Sequence, residues 1–156
     1  MTFKTHLTGG ILVSTLCCTT IGSAALVVIG SLLPDIDHSG SALGKTVPFV
    51  SKLFKHRGIT HSLLMLIICW FLLSPYIAIG VASHILLDML TKQGVKLLWP
   101  LPISIKFFPI ANLIRTGGVF EKLLFASMWL FVLVRLGLMW TGVATFDTIS
   151  IDSLTI

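Results

Sequence analysis

Charge is what this chain has least of. Only 11% of its 156 residues are charged, against roughly a quarter in ordinary soluble domains, and just six are acidic. With 55% hydrophobic residues and a mean hydropathy of +1.00, that shortage argues against a water-soluble globule and for a bilayer. Cysteine is scarce as well. Cys17, Cys18 and Cys69 all lie within apolar runs, with no CxxC or paired spacing, so a disulfide framework is excluded and small core residues remain. The length suits one domain over 1–156 and not two of typical size, roughly 100 to 150 residues each.

The net charge of +5 is not that of a nucleic-acid binder, because the basic residues sit in loops between apolar stretches instead of forming a dense block or one helix face. The loop from His38 to Arg57 carries Lys45, Lys52, Lys55 and Arg57, and Lys92 to Lys122 carries five basic residues against Glu121. The positive-inside rule puts both loops in the cytoplasm. Lys4 followed by an apolar stretch resembles a signal peptide. The run outlasts a usual signal core and a cleavage would remove His6, so the segment is read as retained.

Three apolar stretches organise the chain. Thr5 to Pro34 contains no Lys, Arg, Asp or Glu and suits either one spanning helix or two short helices meeting near Thr19–Ser23. The alternatives differ in consequence: a straight helix at about 1.5 Å per residue puts His6 roughly 40 Å from Asp35, whereas a hairpin brings them to one face. Ser62 to Leu87 is broken by Ser74-Pro75 into halves of roughly 12 residues, short of the ~20 that cross a bilayer, and reads as a second hairpin. Leu123 to Phe146 is long enough to span, with Arg135 in its middle as a structural partner or a substrate contact, and the tail beyond, with Asp147 and Asp152, reads as peripheral. Gly94 to Thr116, rich in proline, reads as an interfacial loop whose Trp99, Phe107 and Phe108 lie at headgroup depth, with Lys96 and Lys106 near lipid phosphates. The fold class expected is an all-α, multi-pass membrane bundle of short helical hairpins with one longer C-terminal span.

Against this background stand the polar islands. All five histidines lie in or beside them: His6; Pro34-Asp35-Ile36-Asp37-His38; His56-Arg57-Gly58-Ile59-Thr60-His61-Ser62; and Ser83-His84 with Asp88. His84 and Asp88 are one helical turn apart on one face, a spacing that suits two ligands of one metal. Taken singly, such residues are more often helix caps or exposed side chains. Seven candidate ligands in a chain this poor in polar groups point to one metal with hydrogen-bonded supports, or to two metals. Histidine with aspartate suits zinc, while carboxylate-rich sites accept manganese or iron.

His6-Leu7-Thr8-Gly9-Gly10, Leu33-Pro34-Asp35-Ile36-Asp37-His38, Gly44, the HRGxTHS element His56–Ser62 and the SHxxxD element Ser83–Asp88 together resemble the bacterial family of LexA-regulated, membrane-bound metal-dependent hydrolases. Gly94–Pro100 and Gly118–Lys122 are similar too, so the likeness runs from His6 to about Leu124. A more distant similarity is to the zinc-dependent phospholipase C and P1-type nuclease group. The resemblance implies an inner-membrane protein with a metal centre and hydrolase activity. It makes His6, Asp35, His56, His61, His84 and Asp88 metal ligands, Asp37 a ligand or general base, and Arg57 a holder of phosphate or another anion. Glu121 and His38 become supports of that centre. Phospholipid headgroups or lipid-linked phosphates are the expected substrates, with Lys96 and Lys106 positioning them; no nucleic-acid partner is expected, and the oligomeric state stays open. The competing reading is a non-enzymatic metal-binding membrane protein, either a metal carrier or an interaction module.

Overall fold

The computed structural model describes residues 1–53, 56–107 and 109–142. Lys55, Phe108, Asp147, Asp152 and the tail after Phe146 lie outside them, so the expectations attached to those positions are not addressed. Among the described residues there is no strand. The helices are α1 (Phe3–Cys17), α2 (Ile21–Leu32), α3 (Ala42–Thr46), α4 (Pro48–Leu53), α5 (Leu63–Ile68), α6 (Pro75–Met89) and α7 (Val119–Trp140).

Of the two readings of Thr5–Pro34, the structure takes the hairpin. α1 stops at Cys17, and Thr20 caps α2 by a reciprocal pair: Thr20 Oγ1 accepts from the Ser23 amide at 3.1 Å, and Ser23 Oγ faces the Thr20 amide at 3.4 Å. The second hairpin forms at Ser74-Pro75, as expected. α5 widens into a π turn over Cys69–Leu73, Ser74 Oγ accepts from the Tyr76 amide at 3.2 Å, and Pro75 occupies the first turn of α6, where its missing N–H is harmless.

The two hairpins lock together where α2 crosses α6. A Cβ on Gly30 would lie 2.2 Å from the Ile77 carbonyl oxygen, and one on Gly80 would lie 2.1 Å from that of Val27. Backbone therefore meets backbone, the close approach that small residues permit in helices surrounded by lipid. Beside this crossing lies a small apolar core of Cys69, Ala78, Val81, Ile85, Met89 and Val95. Cys18 is buried too, which agrees with the reading of cysteines as packing residues.

α7 alone among the described helices is long and apolar enough to cross a membrane; its 22 residues extend about 33 Å. α1, α2 and α6, of 15, 12 and 15 residues, fall short. The expected multi-pass arrangement is thus not what these helix lengths provide. Leu123, Leu130, Phe131, Leu133 and Val134 of α7 are exposed. Arg135 does not sit mid-span. It lies near the C-terminal end of α7, where its Nε–H points to the Thr15 carbonyl in the last turn of α1 at 3.5 Å. A helix C-terminus has unpaired carbonyls and negative dipole character, so the arginine has a structural partner there.

The segment after α6 folds back onto the hairpins. Val95 and Ile105 exchange backbone hydrogen bonds of 3.0 and 2.8 Å, Leu63 N donates to Leu97 O at 2.8 Å, and Phe107 N donates to Met89 O at 2.9 Å. Trp99 and Phe107 are exposed.

The helix crossing generates a direct test. Gly80→Val should destabilise the detergent-solubilised protein by about 1–3 kcal/mol, or more if α2 cannot retreat, read as a lowered Tm. Gly137→Ala, where an added Cβ meets nothing within 4 Å, should leave Tm unchanged or slightly raised. Equal responses from the two variants would contradict the backbone contact.

Candidate metal centre

The hairpins return five chain segments to one end of the molecule: the start of α1, the turn after α2, the loop before α5, the end of α6 and the start of α7. Pro34 turns the end of α2 into a single 3₁₀ turn, Leu33–Asp37, which presents Asp35 and Asp37 in succession. Arg57 adopts a left-handed φ of +60°, and the 3₁₀ turn Ile59–His61 leads into Ser62, whose Oγ faces the Met65 amide to start α5. The outcome is an interior whose largest fully buried side chains include His6, His61 and His84.

Hydrogen-bond chemistry assigns the protons on two of these rings. His84 Nδ1 lies 2.7 Å from the Ser31 carbonyl, which can only accept, so Nδ1 carries the proton. Thr60 Oγ1 gives its single proton to Asp37 Oδ2, and therefore accepts from His61 Nδ1 at 3.0 Å. With both rings neutral their Nε2 lone pairs are bare, and those two atoms face each other at 3.2 Å with no solvent exposure. His61 Nε2 is 3.6 Å from Asp88 Oδ2, and His84 Nε2 is 3.7 Å from Asp35 Oδ1. Ligands bound to zinc at about 2.0–2.2 Å in a tetrahedron lie roughly 3.3–3.6 Å apart, so these separations match the edges of a metal's coordination polyhedron.

His6 extends the set. Its ring stacks on His84 with centroids 3.6 Å apart, its Nε2 is 3.4 Å from Asp88 Oδ1, and neither ring nitrogen has a hydrogen-bond partner although both are buried. Three overlapping groups have ligand atoms within 4.8 Å of one another: His6, His84 and Asp88; Asp35, His61 and His84; Asp37, His56 and His61. The six residues implied as ligands therefore do converge. A buried imidazole without a well-formed hydrogen bond, beside two opposed ring nitrogens and two carboxylates, is a donor set that fits a divalent cation.

Asp37 is differently placed. Its Oδ1 is 2.8 Å from His56 Nδ1, and its Oδ2 accepts from Thr60 Oγ1 and, at 3.2 Å, from the Arg57 amide. Burial raises the pKa of this carboxyl, but the contacts with His56, His61 and Thr60 outweigh it and hold Asp37 below the ordinary carboxylate range. With both oxygens engaged, Asp37 orients His56 and His61 and is poorly placed to take a proton itself. Arg57 is engaged too: Nη2 pairs with Asp88 Oδ2 at 3.0 Å, and Nη1 donates to Thr91 Oγ1 at 3.1 Å and Gly94 O at 2.9 Å. Its Nε–H is buried without a partner. Asp88 also meets the α-amino group of Met1.

Glu121 touches none of the candidate ligands. It binds the start of α1 to the start of α7, accepting from the Thr2 amide at 2.6 Å, Thr5 Oγ1 at 2.7 Å and the Gly117 amide at 2.6 Å, and so holds His6 in place from one turn away. His38 is exposed, with its ring centroid 4.6 Å from that of His56. A polar cavity of about 430 Å³ opens onto Asp35, His38, His56, Arg57 and Asp88. Lys96 and Lys106 do not line it, because the Val95–Ile105 pairing holds their loop against α5 and α6; Gln93 and Thr116, which the sequence did not single out, do.

Comparison with known proteins agrees with a membrane setting. Residues 1–146 match the family described as YdjM inner membrane protein. The uncharacterized protein YvsG of Bacillus subtilis (strain 168) is 38% identical over 148 residues, covering 83% of this chain and 91% of YvsG. Inner membrane protein YdjM of Escherichia coli (strain K12) is 42% identical over 91 residues, covering 47% of this chain and 46% of YdjM, and the Shigella flexneri protein of that name matches equally. This chain thus spans just under half the length of the YdjM proteins it matches. No solved structure matches it. The chain belongs to the YdjM inner membrane protein family, and with it to the membrane-associated proteins of the bacterial inner membrane.

Proposed function

We propose that this protein is a membrane-bound, metal-dependent hydrolase that cleaves a phosphoester or related bond of a lipid-associated substrate at the cytoplasmic face. The observation that carries the reading is the meeting of the bare Nε2 atoms of His61 and His84 at 3.2 Å in a buried pocket ringed by Asp35, Asp88 and His6. Opposed lone pairs repel unless a cation lies against both. The donor set, imidazoles with carboxylates, suits zinc, with manganese or iron as the next choices.

His6, Asp35, His61, His84 and Asp88 would hold the ion, with Asp37 and Ser31 fixing the ring orientations of His61 and His84. A bound ion of this kind supplies a water of pKa near 7 and polarises the oxygen of the bond to be cleaved. His56 is the residue we assign to accept a proton from the attacking water. It is 35% exposed, lines the polar cavity, and is oriented by Asp37 through Nδ1, which leaves Nε2 as the acceptor. In the hydrolysis, the water oxygen joins the phosphorus or acyl carbon, the bond to the leaving oxygen breaks, and the proton returns to that oxygen. Arg57, held at the rim by Asp88, Thr91 and Gly94, contributes positive charge where negative charge develops. The described basic residues of both inter-helix loops, Lys45, Lys52, Arg57, Lys92, Lys96, Lys106, Arg115 and Lys122, belong to segments at this same end, which supports the cytoplasmic assignment.

Elemental analysis of the purified protein should find about one or two equivalents of metal, lost in His61→Ala and His84→Ala. A folded wild type that takes up neither zinc nor manganese would overturn the reading. In a phosphodiester and phospholipid hydrolysis screen, His56→Gln should retain most of the metal yet lose roughly 10²- to 10⁴-fold in rate. Asp37→Asn replaces an acceptor with a donor opposite His56 and Thr60, and should weaken metal affinity by roughly 10- to 100-fold in a chelator competition. An unchanged affinity would remove Asp37 from its orienting role.

A further inference from the structure

Beside the polar cavity lies a second one of opposite character. It has a volume of about 560 Å³, within the range of small-molecule sites, and its surface is mainly apolar. Phe3 of α1, Gly117, and Glu121 and Phe125 of α7 line it, together with the exposed Lys4 and Lys122. The Glu121 carboxylate carries no unmet demand into it, since its oxygens already accept from Thr2, Thr5 and Gly117. Thr2 and Phe3 line both cavities, so the apolar space lies next to the space that holds Asp35, His56, Arg57 and Asp88, on the other side of the start of α1. Phe120 and Leu123, on the adjoining outer surface of α7, are exposed, and α7 is the helix with the length and hydropathy of a membrane span.

We propose that this apolar cavity receives one hydrocarbon chain of an anionic membrane lipid, with Lys4 and Lys122 taking the phosphate and directing the headgroup into the polar cavity. The inference rests on the hydrolase reading for its purpose and deepens it by naming the substrate class: a phosphate-bearing amphiphile rather than a free phosphoester. Charge and shape agree on this occupant. An apolar slot flanked by two cations matches a molecule that is apolar at one end and anionic at the other, and the slot opens beside a lipid-facing helix. A soluble phosphoester would leave the slot unused, and a neutral lipid would leave both lysines unused.

The test uses the full chain, stripped of metal with a chelator, in phosphatidylcholine nanodiscs. The probes are phosphatidic acid with a photoreactive diazirine in one acyl chain and diacylglycerol with the same chain. Cross-links from phosphatidic acid should concentrate on peptides containing residues 2–5 and 117–125, roughly tenfold above those from diacylglycerol. Phe125→Glu, which puts a charge into the slot, should abolish the focus; should that variant fail to fold, Phe125→Trp should reduce it by filling the space. Lys4→Gln with Lys122→Gln should bring phosphatidic acid down to the diacylglycerol level. Equal labelling by both lipids, spread along the outer face of α7, would overturn the proposal. Displacement by inorganic phosphate as effective as displacement by unlabelled lipid would also overturn it, because the anion alone would then account for binding. The labelling is read on metal-free protein and does not depend on hydrolysis, so focused labelling combined with no lipid hydrolysis by the zinc- or manganese-loaded protein would count against the hydrolase reading and leave the lipid site standing.

Discussion

Two imidazole nitrogens held face to face at 3.2 Å constrain the whole end of this molecule. Each needs its other nitrogen anchored: His84 by the Ser31 carbonyl at the end of α2, His61 by Thr60 and, behind it, Asp37. Each also needs a carboxylate nearby, and these come from α6 and from the 3₁₀ turn after α2. The Ser31 contact demands that α2 and α6 run close together, and Gly30 and Gly80 remove the side chains that would part them. The glycine crossing and the histidine pair are thus one device. Relaxing either moves Ser31 away from His84 and frees the ring to turn.

The surroundings raise the strength of this constraint. A chain whose outer surface is Leu, Phe, Ile and Val has little water near its polar groups, so each buried Asp or His must find a partner inside the protein. Asp88 does so with Arg57, the Met1 amino group and the imidazoles; Asp37 does so with three donors from the His56–His61 loop. His6 is less well served: it is buried, its Nε2 is 3.4 Å from Asp88 Oδ1, and neither ring nitrogen makes a well-formed hydrogen bond. In so apolar a setting a ring of that kind is stable only if something polar joins it, which is why the cluster reads as a cation site and not as a self-contained hydrogen-bond network.

Much of this was readable from local pattern. The breaks at Thr19–Ser23 and at Ser74-Pro75 announce hairpins because capping residues and proline act over a few positions, and the i, i+4 spacing of His84 and Asp88 needs only a helix to align them. What depends on closure between distant segments was not readable. Nothing local says that both Asp37 oxygens are taken by the loop twenty residues on, that the Arg57 guanidinium turns inward to α6, or that Glu121 clamps α1 to α7. Lys96 and Lys106 attract notice as a basic, aromatic stretch, yet the Val95–Ile105 pairing carries them away from the cavity. Arg135 looked like a charge in mid-membrane because the C-terminal boundary of its helix was set too late; with α7 running Val119–Trp140, it belongs to the end opposite the histidines.

Location bears on the two uses a buried metal could serve. A carrier must hand its ion across the bilayer, and such sites lie near the midplane between interrupted helices, with access from each side in turn. Here every donor sits at the same ends of the helices: His6 in the first turns of α1, Asp35 after α2, His61 before α5, and His84 with Asp88 in the last turns of α6. The opposite end of the molecule, where α1 turns into α2 and Arg135 caps α1, contributes no member to the three ligand groups. Access runs through the polar cavity at the ligand end, past the half-exposed His56 and the rim arginine. A site reached from one face, with a proton acceptor and a cation at its mouth, has the arrangement that a reaction with water at a membrane surface would use, which is why we favour that reading over a carrier.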